Sequence, residues 1–251
     1  MNSLEVALLV AVLMFVSGSA GLFLQSRVAE VYTADRSRDM IGGVCGLVGL
    51  LLALVLGLLV WTGYGVFTTQ QTELQTLTAK ALEFDLEMRQ YGPEAKHARE
   101  ILRTDLVWAH EQFWGEEDTA NLAYSASYAN MDSMSAFLGA LQPTTDSQRQ
   151  LLGDARRNYG FIGEYRLLMS LQLTHPIAWP LIIAVTAWSC VQFFGLGVLS
   201  RPNAGTLVAL AMGACAVASA IFLILEFSQP YTSSIRIPPN GLEQVIIQLD
   251  S

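Results

Sequence analysis

The sequence predicts an all-α integral membrane protein, with four transmembrane helices as two hairpins and an intervening extramembrane helical domain. Three observations carry this reading. Charged residues make up 14% of the 251-residue chain and hydrophobic ones 52%, whereas an ordinary soluble domain is roughly 25% charged. Four apolar runs, Leu4 to Leu24, Ile41 to Phe67, Ile177 to Leu199 and Gly205 to Phe227, carry formal charge only near their ends, as Glu5 and Glu226. Each is long enough to cross a bilayer core about 30 Å thick, which takes about 20 helical residues. Between the second and third runs the apolar residues recur every three or four positions, so helices rather than strands are expected there.

Along the chain, Met1-Asn2-Ser3 lacks the basic segment of a signal peptide, and the first run is read as a retained span. Gln25 to Met40 connects it to the second run, which continues without a break into the stripe Leu74, Leu77, Ala81, Phe84 and Met88. Tyr91-Gly92-Pro93 ends that long helix, and Pro93 opens another reaching Trp114, with Leu102, Leu106, Ala109 and Phe113 on one face. Asp118-Thr119 is expected to cap a helical stretch ending near Gln142-Pro143. Thr144-Thr145-Asp146-Ser147 then starts a long helix toward His175-Pro176. Ser200 to Ala204 joins the last two spans, and the tail reads as an extended piece, Ile235 to Ile237, followed by a helix from Gly241 to Leu249. The expected domains are a first transmembrane hairpin (1–68), the helical domain (69–174), a second hairpin (175–231) and a tail (232–251).

A net charge of -8 gives no electrostatic footprint for nucleic acid. The expected partners are the lipid bilayer, further copies of the chain, and a protein bound through residues 69–174. Both short loops lie on one side of the membrane, with the termini and the helical domain on the other. The loops hold Arg27, Arg36, Arg38 and Arg201, so the arginine count places them in the cytoplasm of a bacterial inner membrane and the helical domain in the periplasm. Trp61, Tyr64, Trp179, Phe227 and Tyr231 are expected as anchors at the domain-side boundary.

No catalytic residue, metal site or cofactor motif is predicted. His110-Glu111-Gln112-Phe113-Trp114 starts like the zinc-protease signature but places Trp114 where the second imidazole must stand. Cys45, Cys190 and Cys215 have no CxxC spacing and read as small buried hydrophobes. Arg166 falls on the stripe Leu151, Ala155, Tyr159, Ile162 and Met169, a face that should be buried, so its guanidinium needs a partner. Glu226 is the expected one, in a structural clamp; the plainer reading is an Arg166 that snorkels to lipid phosphate.

Gly42, Gly46, Gly49, Ala53 and Gly57 in the second span, and Ala209, Gly213, Ala216 and Ala220 in the fourth, form small-residue faces. Close helix packing is the plainer reading. The sharper one makes Gly46, Gly49, Leu50, Ala53, Leu54, Gly57 and Leu58 pore candidates, with the leucines able to gate by dewetting. Ser189 and Gln192 read as interhelical hydrogen-bond glue, and no span holds the midplane carboxylate that coupled carriers use.

Leu52 to Leu59, Tyr91 to Ala95 with Arg99 and Leu102-Arg103, Arg166, Phe194-Gly195-Leu196 with Pro202-Asn203, and Ile224-Leu225-Glu226 with Pro230 and Tyr231 occur in an order that resembles the bacterial bestrophin-like family, distant relatives of bestrophin anion channels. The resemblance implies a homo-oligomeric channel for ions, anions by analogy with bestrophins, whose second span lies nearest the axis; Arg27, Arg36 and Arg38 are read as ion-mouth candidates. It also implies a cytosolic helical domain, against the arginine count. Bestrophin pores use bulky residues including phenylalanine in that span, and this one has no Phe between Ile41 and Val66. The alternative is a non-conducting scaffold, accessory subunit or sensor.

Overall fold

The computed structural model describes residues 2–25, 35–115, 132–173, 179–231 and 233–250, and every regular element among them is helical. In chain order these are α1 (Ser3–Gln25), α2 (Asp35–Tyr91), a 3-10 turn (Pro93–Ala95), α3 (Lys96–Trp114), α4 (132–140), α5 (Asp146–Leu173), α6 (Trp179–Leu199), α7 (Ala204–Phe227) and α8 (Asn240–Leu249). Helices α1, α6, α7 and the first part of α2 are long and apolar enough to cross a membrane. The expected cap at Asp118-Thr119 lies outside the described residues.

Two compact units result: Met1–Val66 with Ile177–Ser228, and Phe67–Pro176 with Gln229–Ser251. In the membrane unit, glycine sets the closest crossing. A Cβ on Gly21 would overlap the carbonyl oxygen of Phe194, and one on Gly197 would overlap that of Gly18, so α1 and α6 meet backbone to backbone. Ser17 Oγ donates to the Cys190 carbonyl at 2.7 Å across the same pair. Helix α7 adds Leu210 against Gly18, and Phe193 of α6 packs on Gly213. Asn203, accepting from Thr206 N at 2.7 Å, caps the start of α7.

In the helical unit the expected stripes are buried: Leu74, Leu77, Ala81, Phe84 and Met88 of α2, Leu102, Leu106, Ala109 and Phe113 of α3, and Ala155, Tyr159, Ile162 and Met169 of α5. Helix α2 stops where Gly92 takes φ 128, a left-handed conformation that side chains disfavour. Thr145 starts α5, its Oγ1 accepting from Gln148 N at 3.1 Å while Gln148 Oε1 accepts from Thr144 N at 2.9 Å.

Side chains from neighbouring helices close the carbonyl ends. Gln148 Nε2 donates to the Tyr91 carbonyl at 3.0 Å, and Arg156 Nη2 to Leu138 at 2.6 Å. The tail belongs to this unit. Its Leu242, Val245 and Leu249 are buried, and Arg89 Nη2 donates to the Gln248 carbonyl at 2.9 Å, with Arg99 Nη2 3.4 Å from that of Leu249. Asp85, 2% exposed, holds both arginines: 2.8 Å from Arg89 Nε and hydrogen-bonded to Arg99 Nε.

Tyr231, expected as a membrane-boundary anchor, is instead 1% exposed in this core, its ring 5.3 Å from that of Phe113 and 5.2 Å from that of Trp114. Trp114 Nε1 donates to the Ile237 carbonyl at 2.8 Å, and Ile237 N to Pro230 at 2.7 Å, which turns the chain inward after α7 and buries the ring.

Candidate functional site

The candidate site is the uncovered face of the span in α2. Of that span 11% is buried, against 39% of α1, 33% of α6 and 28% of α7. Leu52 and Leu56 hold it to the other spans, together with Gln192, whose Nε2 donates to the Cys45 carbonyl at 2.6 Å. Gly63 does the same near the end of the span by lying against Phe227. The opposite side is open: Leu50, Leu54 and Leu58 are 74%, 70% and 63% exposed, with Gly46, Ala53 and Gly57 also exposed.

The structure therefore gathers the predicted pore residues on one side of a single helix, with one exception. Gly49 is half-buried against Gln192 Nε2. Among the described residues, the close packing expected of this small-residue stripe is confined to Gly49, since a Cβ on Gly42, Gly46 or Gly57 meets nothing within 4 Å. The intimate contacts fall to Gly18, Gly21 and Gly197 instead. In the fourth span the buried small residues are Ala214 and Ala218, one helix face away from the exposed Ala209 and Ala216. A span apolar on all sides carries no periodicity to tell the two faces apart.

Of the mouth candidates, Arg27 lies outside the described residues, while Arg36 and Arg38 belong to the first turn of α2. Cys45 and Cys190 are half-buried and Cys215 exposed, so burial is only partial for these thiols. Ser189 Oγ donates within its own helix, to Val185 at 2.8 Å, and Gln192 alone of that pair bonds across helices.

Arg166 is 3% exposed, its Nη1 is 3.6 Å from Asp105 Oδ2, and its guanidinium lies 5.7 Å from the centroid of Trp108. The same carboxylate oxygen accepts from the Tyr159 hydroxyl at 2.8 Å. Burial, followed by the negative charge of Asp105, pushes the Tyr159 phenol far above its ordinary value of 10, so it stays a protonated donor. Sequence reasoning missed Asp105, although its position between Leu102, Leu106 and Ala109 places it on the buried face of α3. Glu226 is 2% exposed within the membrane unit. His110, set aside as a zinc ligand, stacks 5.6 Å from Trp114 and places Nε2 3.2 Å from Glu243 of α8.

This architecture, four apolar spans with a helical domain that returns to take up its own tail, is that of the bestrophins. A bacterial bestrophin homologue from Klebsiella pneumoniae carrying one Ile-to-Thr substitution superposes with a TM-score of 0.70 at 14% identity, over 98% of this chain and 99% of that one. A Tyr-to-Ala variant from the same organism gives 0.70 at 13% identity, over 96% of each chain. A crystal structure described as a membrane protein gives 0.67 at 13% identity, over 98% and 97%. No curated protein matches the chain. The family model for the bestrophin-like domain matches residues 12–242, and the chain belongs to that family.

Proposed function

We propose that copies of this chain assemble around α2 and that the assembly conducts small ions across a bacterial inner membrane. One observation carries the reading: the span richest in glycine and leucine is also the one its own chain leaves uncovered. Apolar residues on that side tolerate lipid, but an open row of glycines gains from a close neighbour, and further copies are a source of one. Around such an axis Leu50, Leu54 and Leu58 form apolar rings and Gly46 and Gly57 leave width between them. The family resemblance points the same way. The test is the mass of the detergent-solubilised protein together with ion flux from liposomes. A monomer, or flux at background for chloride, nitrate, sodium and potassium, removes the proposal.

A non-conducting scaffold, accessory subunit or sensor is the second reading. It is favoured by Leu86 and Ile247, 53% and 71% exposed on the helical unit, which suit a protein partner. Orientation follows from either of two opposed arguments, the arginines of the short loops or the cytosolic domain of bestrophins. Labelling a single cysteine at Asn203 or at Gln90, in a chain lacking its natural three, separates them. The proposed clamp between Arg166 and Glu226 is compatible with Asp105, because a guanidinium carries five N–H donors. Glu226→Gln tests it by a loss of thermal stability.

A further inference from the structure

Asn240, the first residue of α8, is the chain's one asparagine followed by glycine. Glycine has no Cβ, so the backbone after Asn240 turns freely and nothing shields the Gly241 N–H from the neighbouring side-chain amide. The fold leaves both members of the pair accessible. Asn240 and Gly241 are exposed, on an open pocket of about 360 Å³ that reaches Gln75 and Thr78 of α2 and admits water. The first turn of a helix offers its N–H groups no acceptor. Here the first backbone bond runs from Glu243 N to the Pro239 carbonyl at 3.0 Å, and the Ile237 carbonyl, four residues before Gly241, accepts from Trp114 Nε1 at 2.8 Å. No side-chain hydrogen bond caps the turn, and the positive end of the helix dipole makes its N–H protons easier to lose.

We propose that Asn240-Gly241 is a self-modification site of the folded protein, where water and the chain's own backbone convert the amide to aspartate and isoaspartate, and that the isoaspartate undocks α8. The Gly241 nitrogen gives up its proton to hydroxide and bonds to Cγ of Asn240. The Cγ–Nδ2 bond breaks, ammonia leaves with a proton from water, and a cyclic imide remains. One water then opens the imide, with no atom oxidised or reduced. Cleavage at Cγ restores the ordinary backbone and leaves a side-chain carboxylate, which suits a helix N-terminus. Cleavage at the backbone carbonyl carbon instead sends the chain through Cβ and Cγ, one atom longer. Trp114 holds Ile237 just before that step and Leu242 is buried just after it, so the added atom pushes Leu242 and Val245 out of their places in the core.

The test ages the detergent-solubilised full chain at mildly alkaline pH and follows amide loss by peptide mass spectrometry. Asn203 is the internal comparison: it is exposed at the start of α7, precedes alanine, and its side chain accepts from Thr206 N at 2.7 Å. Conversion is expected to be several-fold faster at Asn240. Gly241→Ala is expected to slow it several-fold, and it folds, because the added Cβ lies at an ordinary 3.9 Å from Thr78 Cγ2. Equal rates at the two asparagines, or wild-type speed in Gly241→Ala, overturn the site. Limited proteolysis reads the release, with isoaspartyl and aspartyl peptides separated by chromatography. Isoaspartyl chains should lose α8 early, while Asn240→Asp, the other product, keeps it protected. Isoaspartyl chains cut no faster than Asn240→Asp overturn the undocking.

Discussion

Gly21 faces the carbonyl oxygen of Phe194 at a separation that leaves no room for a Cβ, and this pair sets how near α1 and α6 approach. Gly21→Val is therefore expected to destabilise the membrane unit by about 1–3 kcal/mol, the ordinary result of overfilling a packed site. Gly46→Val is expected to leave the subunit's stability nearly unchanged, because a Cβ there meets nothing within 4 Å on an exposed face. Thermal unfolding in detergent checks both. If Gly46→Val instead lowers the mass of the particle, its face is one that another copy covers.

Asp85 is the common partner of Arg89 and Arg99, which in turn hold the carbonyl end of α8. Asp85→Ala removes the buried carboxylate from two partly exposed arginines that keep their α8 carbonyls, at an expected cost of about 1–3 kcal/mol. The measurement is limited proteolysis: α8 should be cut early in the variant, and an unchanged cleavage pattern refutes the latch.

Tyr159→Phe removes one donor from Asp105 and no apolar volume. Because Asp105 is 1% exposed and charged, losing this hydrogen bond while Arg166 stays beside it is expected to cost about 1.5–3 kcal/mol, measured by denaturant unfolding.

Burial raises the Glu87 carboxyl above its ordinary 4.5, outweighing the hydrogen bond from Asn158 that lowers it. With the folded-state value above the unfolded one, the group favours folding fully below pH 4.5, and that contribution fades as pH rises through its raised value. Glu87→Gln should therefore melt higher than wild type at neutral pH, with the gap closing on acidification. A gap independent of pH contradicts the assignment.

Much of the helical unit was legible because it is amphipathic. Leu74, Leu77, Ala81, Phe84 and Met88 announced the continuation of the second helix, Gly92 its stop, and Thr145 the start of α5. The site was legible only as a set of candidates. Residues 46 to 58 pointed to one helix, but which side stays uncovered depends on neighbours that a uniformly apolar span does not encode. Asp105 escaped notice because a single carboxylate on a buried face looks like any surface acid until Tyr159 and Arg166 arrive beside it. Tyr231 sat at the right sequence distance from a span to resemble an interfacial anchor, and only the turn closed by Ile237 N and Pro230 O shows the ring facing inward.

The helical unit is built from residues 67–176 and from Gln229 onward, with the entire second hairpin between the two pieces. While the ribosome is still making α6 and α7, the places later filled by Leu242, Val245 and Leu249 stand open. At about 5–20 residues per second that interval lasts on the order of ten seconds. Threading the second hairpin into lipid thus becomes a prerequisite for closing a domain that lies outside it, and a hairpin that stalls at the translocon leaves an unfinished apolar surface for chaperones and proteases to find.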